Sequence, residues 1–448
     1  MQPQQDTSQF NSPTNQSNTN PKPHRKLSSI WKILIIIGGI LLVGAIMSFI
    51  LIIISPAKGN PIAPNNTKST QIMISAGNKQ TCANDTNSKL YCWGMGYSVP
   101  SADKATTNSV SAVTINTGAQ KDKTIKSFST GDLFSCAVAS DNQAYCWNYN
   151  TIDKAESSPT GAISPVAIPT SGALAGKTIK SVSASLGRAC AIASDNQVYC
   201  WGNGAKSLVD EKLAADSLVP AVVALPAGQT GKAVKSVSTS ITYACLIASD
   251  SQAFCWGDNS INQLGDNTFK NSSVPVAVLT AGVFTDKTIK SITTGSYHAC
   301  VIASDDLAYC WGYNSKGNLG NDSKAIASVP VAVLNSGVLK SKTIKSISAG
   351  ANHTCVIASD NQAYCWGQNN YGQLGDKTTT NSPIPVAIDV SGVLNGKTIK
   401  SISAGANHTC VIASGNQAYC WGQNDYGQLG NKATTDSSVP VAVSKYSL

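Results

Sequence analysis

The sequence predicts an all-β fold: a seven-bladed β-propeller of four-stranded blades, preceded by a disordered tail and one transmembrane helix. Three observations predict it. The phrase TCVIASDNQAYCWG at 354–367 recurs nearly unchanged at 409–422, and looser copies begin at 81, 135, 189, 244 and 299. All 14 cysteines fall within these copies as seven pairs, each ten residues apart. The tryptophan after each second cysteine recurs every 54 or 55 residues, from Trp93 to Trp421. A repeat of that period is the mark of an array in which neighbouring units cover one another.

The 448-residue chain is only 13% charged and 6% aromatic, and it is rich in Thr, Ser, Asn, Ala and Val, which suits short strands and turns. Residues 1–30 are Gln-, Asn-, Ser- and Pro-rich without apolar periodicity, and read as a disordered cytoplasmic tail. Residues 31–54 read as the transmembrane helix. Its apolar run, Ile33–Ile54, is 22 residues without a charge, long enough to span roughly 30 Å of hydrocarbon. Lys22, Arg25, Lys26 and Lys32 precede it, so the positive-inside bias puts the N-terminus in the cytoplasm and the rest outside. A cleaved signal peptide is the competing reading, with SPA at 55–57 as its cleavage site, although the run exceeds a normal apolar region. Residues 55–69 form a linker and residues 70–448 the propeller.

The cysteine pairs are Cys82/Cys92, Cys136/Cys146, Cys190/Cys200, Cys245/Cys255, Cys300/Cys310, Cys355/Cys365 and Cys410/Cys420. In the sixth copy TCVIA and QAYCW read as strands and SDN as a three-residue turn, with Asn361 in the left-handed position. Pairing Ala358 with Gln362 then sets Cys355 opposite Cys365 at a non-hydrogen-bonded position, where Cα atoms approach ~4.5 Å and a disulfide fits. One residue more or less would put the thiols on opposite faces. Seven intra-repeat disulfides in an exported domain follow. Ser88, Ser251 and Asp306 replace Asn at three of the turns and are poorer choices for them.

Both faces of this hairpin are apolar, so the sheet needs cover on both sides, as in sheets stacked around an axis. TIKSISAG or a variant precedes most hairpins, and VPVAV or a relative follows them, making four strands per unit. The first unit opens at QIMISAG and the last ends VPVAVSKYSL. Closure by strand exchange between the termini is therefore expected.

The stretch SISAGANHTCVIASDNQAYCWGQNNYGQLG, 346–375, resembles the regulator-of-chromosome-condensation repeat, with its G-x-x-H, W-G-x-N and G-Q-L-G elements. The last element recurs at 262–265, 317–320, 372–375 and 427–430, and units one to three lack it. The resemblance implies a seven-bladed propeller. It also brings a family activity, guanine nucleotide exchange on a small GTPase, that needs a segment projecting from the ring; the uniform spacing leaves no room for one.

Comparison of the seven copies shows a variable place two before the first cysteine, Gln80, Phe134, Arg188, Tyr243, His298, His353 and His408, and its preceding neighbour varies too, Tyr297 being the fifth copy's. Together with Tyr297 these are expected to ring one face and bind a partner, since loops on a rigid scaffold carry recognition. The opposing reading is that each packs on its own blade. His298, His353 and His408 are not read as a zinc site, because equivalent residues on separate blades stand too far apart. Repeated lysine pairs in K-T-I-K could form a basic ring for an anionic polymer, or simply shield strand ends. The net charge of +9, spread thinly, points away from nucleic acid. No H-E-x-x-H, G-x-S-x-G or P-loop occurs, and neither an enzyme nor a cofactor is predicted. The reading is a monomeric, membrane-anchored extracytoplasmic propeller that binds a protein or glycan. A small-GTPase exchange regulator, or an enzyme with a composite site, is the alternative.

Overall fold

The computed structural model describes residues 72–96, 108–115, 122–148, 165–202 and 219–444, Leu133 and Ala281 excepted. The expected tail, transmembrane helix and linker lie outside these residues. Among the described residues no helix is long and apolar enough to cross a membrane. The chain divides into Met1–Lys68 and Ser69–Leu448, and the fold described here is that of the second unit.

Its 28 described strands form seven antiparallel sheets of four, each a meander of consecutive strands. Blade 6 is typical. Its strands are Ile344–Ala349, His353–Ala358, Ala363–Gly367 and Ser382–Ala387, from the axis outward. Cys355 pairs with Cys365, Val356 with Tyr364 and Ile357 with Ala363. The turn between them is the expected one: Ala358 N donates to Gln362 O at 3.0 Å, and Asn361 has φ of 59°. Ser88, Asn142, Asn196, Ser251, Asp306 and Asn416 hold the same left-handed conformation, φ 61–66°, so the less suited residues adopt it too.

The cysteines are bonded in the expected pairs. Each bridge joins the second and third strands of one blade: Cys82 to Cys92, Cys136 to Cys146, Cys190 to Cys200, Cys245 to Cys255, Cys300 to Cys310, Cys355 to Cys365 and Cys410 to Cys420. Their Cα atoms stand 4.0–4.1 Å apart, closer than the ~4.5 Å of an unbridged pair of this kind. Every one of these sulfurs belongs to a residue at most 1% exposed, so the bridges staple the blades and present nothing to a partner. As site residues, Cys146, Cys200, Cys255, Cys310 and the other cysteines are therefore structural rather than ligand-binding.

Apolar side chains lie on both faces because each blade is covered by its neighbours. Cys355, Ile357, Ala363 and Cys365 of blade 6 share one cluster with Ile399, Val411, Ala413 and Trp421 of blade 7. The innermost strand of each blade from the second to the seventh carries a bulge, and the extra residue is a lysine: Lys126, Lys180, Lys235, Lys290, Lys345 or Lys400.

The ring does not close by strand exchange. Blade 1 consists of Ile74–Ala76, Gln80–Asn84, Leu90–Met95 and Asn108–Ile115; blade 7 takes its outer strand, Ser437–Ala442, from its own unit. Every outer strand thus follows its own hairpin. The outer strand of blade 1 escapes recognition because Ala112 stands where VPVAV has proline; Val113 opposite Cys92 matches Val441 opposite Cys420. Closure comes instead from blade packing: Ile74, Ala83 and Trp93 join Cys410, Ile412, Ala418 and Leu429 in one cluster.

Candidate functional site

Seven of the eight residues expected to ring a face are buried. Gln80, Phe134, Arg188 and Tyr243 are at most 8% exposed, and His298, His353 and His408 are at 0%; Tyr297 alone is open, at 39%. The second strand of each blade begins at this position, and its side chain turns into the junction with the next blade. His298 Nε2 meets Thr354 Oγ1 at 2.8 Å, His353 meets Thr409 at 2.9 Å and His408 meets Thr81 at 2.8 Å. Gln80 Nε2 donates to Ser135 Oγ at 3.0 Å, Phe134 packs with Ala189, and Tyr243 donates its hydroxyl proton to His298 O. The variation therefore follows the residue before the first cysteine in the next blade, a threonine, serine or alanine. Burial pulls each histidine down to about 3, so all three are neutral. Among the described residues no group of three or more His, Cys, Asp or Glu side chains is placed to hold a metal ion.

A second signal lies two residues earlier, where sequence reading did not look. The positions four before the first cysteines, Asn78, Asp132, Leu186, Ile241, Ser296, Ala351 and Ala406, line one cavity together with the ends of the seven inner strands. This is the axial mouth. Its volume of about 130 Å³ admits a few waters or one side chain, not a whole small-molecule ligand. Burial raises the Asp132 carboxyl above its usual range, against the opposing effects of the Asn78 amide and the Lys79 charge. Leu186 is 41% exposed at the rim. Tyr297, on the same face, stands edge-on to Tyr313 with ring centres 6.1 Å apart. Phe269, at 69%, is exposed on the loop that leaves the third strand of blade 4 toward this face.

The four loops with a G/N-x-L-G turn share one device. Asn259, Asn314, Asn369 and Asn424 are buried, and each side-chain oxygen accepts from the leucine amide five residues on. The turn then offers a backbone carbonyl to the next blade: Gln263, Asn318, Gln373 and Gln428 accept from the indoles of Trp311, Trp366, Trp421 and Trp93 at 2.8–3.0 Å.

On the opposite face the lysines are tied down. Lys123, Lys177, Lys232, Lys287 and Lys342 pair with Asp141, Asp195, Asp250, Asp305 and Asp360. The bulge lysines reach the left-handed turn residues, as Lys345 does Asn361 at 2.6 Å and Lys400 does Asn416 at 2.8 Å. Lys290 does so as an ion pair, with Asp306 at 2.6 Å. The K-T-I-K lysines therefore spend most of their charge and hydrogen bonding on the chain itself.

The repeat matches known proteins. A family model described as the regulator of chromosome condensation (RCC1) repeat matches residues 250–302, 305–357, 360–412 and 416–447, and a second model of the same description matches 179–207, 289–318, 344–373 and 399–428. The chain belongs to the RCC1 repeat family. The RCC1 matches concentrate on blades 4 to 7, which carry the buried asparagine and its turn. Among relatives, the ultraviolet-B receptor UVR8 of Arabidopsis thaliana is 27% identical over 250 residues, 56% of this chain and 54% of that protein. The X-linked retinitis pigmentosa GTPase regulator of Canis lupus familiaris is 32% identical over 153 residues, 34% of this chain and 15% of that protein. The chain thus spans about half of UVR8 and much less of the other. Yeast RCC1 (Prp20), solved with Kap60, superposes with a TM-score of 0.66 at 18% identity, covering 88% of this chain and 91% of that one, a likeness of fold.

Proposed function

We propose that this RCC1-repeat protein is a binding protein anchored in a membrane by Ile33–Ile54, with its propeller on the extracytoplasmic side, where one face engages a protein or glycan partner. The observation that carries the compartment is the set of seven buried disulfides, one per blade, with no free cysteine among the described residues. Such bonds form and persist in oxidising compartments. The charge-free apolar run after a basic leader supports the same topology. The face is the one with the axial mouth, because it bears Tyr297, Tyr313, Leu186 and Phe269, aromatic and apolar anchors of the kind that dominate interfaces. The opposite face offers mainly lysines already held by the chain. Relatives named as a receptor and as a GTPase regulator support a binding role, while their full activities belong to longer proteins.

The test has two parts. Protease added to intact cells is expected to digest the propeller while the N-terminal tail stays protected; protection of the propeller sinks the topology. Cell-surface crosslinking with the full chain should then give a partner adduct that Tyr297→Ser and Leu186→Ser each reduce at least fivefold. Adducts unchanged by both substitutions would remove this face.

A further inference from the structure

The junction of blades 3 and 4 gathers several buried polar groups without partners. At the other described junctions the residue two before the first cysteine finds its counterpart, as Gln80 does in Ser135 and His353 in Thr409. Arg188 is the exception. The place of Thr409 is taken in blade 4 by Ala244, which has no hydroxyl. Arg188 is 8% exposed, and its Nε and Nη1 have no hydrogen-bond partner. Burial draws the guanidinium down to about 10.

Two further groups at this junction are orphaned. The buried Trp256 indole nitrogen has no acceptor, as Trp201 in blade 3 has none, whereas the equivalents in blades 5, 6, 7 and 1 donate to a carbonyl of the preceding blade. Thr242 Oγ1 is buried and unpaired as well. Beside them opens a cleft of about 420 Å³ lined by Arg188, Thr242, Gly257, Asp258, Asn271 and Ser272. Three unsatisfied groups, one of them cationic, are costly to bury and define a place for an acceptor.

We propose that the cleft between blades 3 and 4 is a carboxylate-binding site, anchored by Arg188 and filled by an acidic side chain of a protein partner. The planar guanidinium fork matches a carboxylate in two-point contact. Asp258 selects among anions. Its carboxylate lines the same cleft, with its oxygens held by Ser260 and the Gln263 amide. It repels a doubly charged phosphate more than a singly charged carboxylate. The cleft opens beside the 1–2 turn of blade 4, on the face with the axial mouth, so the inference deepens the partner-binding reading by naming the ligand chemistry.

The test is thermal unfolding of the full chain in detergent micelles, with acetate titrated against chloride at fixed ionic strength. Acetate is expected to raise the wild-type midpoint with the logarithm of its concentration above Kd, by about 2 °C at ten times its Kd. Arg188→Met should melt higher than wild type in chloride, being freed of an uncompensated charge, and should not respond to acetate. An aspartyl tripeptide amide should act at lower concentration than glucuronate, and phosphate should act less than acetate. No acetate response in wild type, or an equal response in Arg188→Met, overturns the site. A lower midpoint for Arg188→Met with no acetate effect on wild type would mean that the chain supplies its own acceptor, which also overturns it. Stronger action by phosphate overturns the carboxylate assignment, and stronger action by glucuronate overturns the protein source. If acetate fails while Tyr297-dependent crosslinking persists, this site falls and the face remains.

Discussion

Ser403 Oγ accepts a hydrogen bond from Ala76 N at 2.9 Å, joining the last blade to the first across 327 residues. The contact is one rung of a complete ring. Ser75, Ser129, Ser183, Ser238, Thr293 and Ser348 accept in the same way from Thr130, Ala184, Thr239, Thr294, Ala349 and Ala404. An innermost strand is a sheet edge with unpaired amides; here a hydroxyl of the neighbouring blade satisfies one amide per blade.

Ser403→Ala should therefore strip the Ala76 amide of its partner and cost about 1–2 kcal/mol. Urea unfolding would read the loss. Hydrogen exchange should show Ala76 exposed while Ala349 stays protected. An Ala76 amide that remains slow to exchange would disprove the closing role of the hydroxyl.

The three junction histidines make stability depend on acid. Each has a folded value near 3 against an ordinary 6.5, so between these limits the unfolded chain binds more protons. Their contribution is complete above pH 6.5 and is lost as pH falls toward 3, with a combined slope of about 4 kcal/mol per pH unit inside that window. His408→Gln adopts the residue that Gln80 already uses at the same place. It should lower the slope by about 1.4 kcal/mol per unit. An unchanged slope would show that His408 is not buried neutral.

Glycines hold the blades close at the axis. A Cβ on Gly350 would sit 2.2 Å from Gly405 O, whereas one on Gly392 would meet nothing within 4 Å. Gly350→Ala is expected to lose about 3 kcal/mol and Gly392→Ala less than about 0.5 kcal/mol. Chemical denaturation of the two variants side by side decides it; equal stability would contradict the close approach.

Mass spectrometry of unreduced peptides should return seven bridges, each between cysteines ten residues apart. Replacing Cys355 and Cys365 together by Ala should cost about 2–3 kcal/mol by the loop-entropy model. Free thiols in native material would contradict both the bridges and the oxidising compartment proposed from them.

A single blade was legible because its determinants are local. A ten-residue cysteine spacing, a left-handed turn residue and a two-residue side-chain period place Cys355 opposite Cys365 without reference to anything distant. The same local rule sets Cys136 against Cys146, Cys190 against Cys200, Cys245 against Cys255 and Cys300 against Cys310. The candidate site was not legible in the same way. His353 reads as an exposed loop residue until Thr409, 56 residues away, is brought against it. The axial positions Asn78 and Asp132 recur with the repeat but hold no common residue type, and only convergence of seven strands puts them at one mouth. The way the first unit opens and the last unit ends suggested an exchange of strands that the chain does not make, because Asn108–Ile115 completes blade 1 without the proline of the other outer strands.

The sequence by itself determined the number of blades, the hairpin register and the pairing of every cysteine, since each follows from hydrogen-bond geometry within about a dozen residues. Tertiary structure alone decided how the ring closes, which variable side chains are hidden and that Arg188 lacks a partner. Those outcomes depend on contacts between units some 55 residues apart, where a side chain's neighbour is set by the curvature of the whole ring rather than by the chain on either side of it.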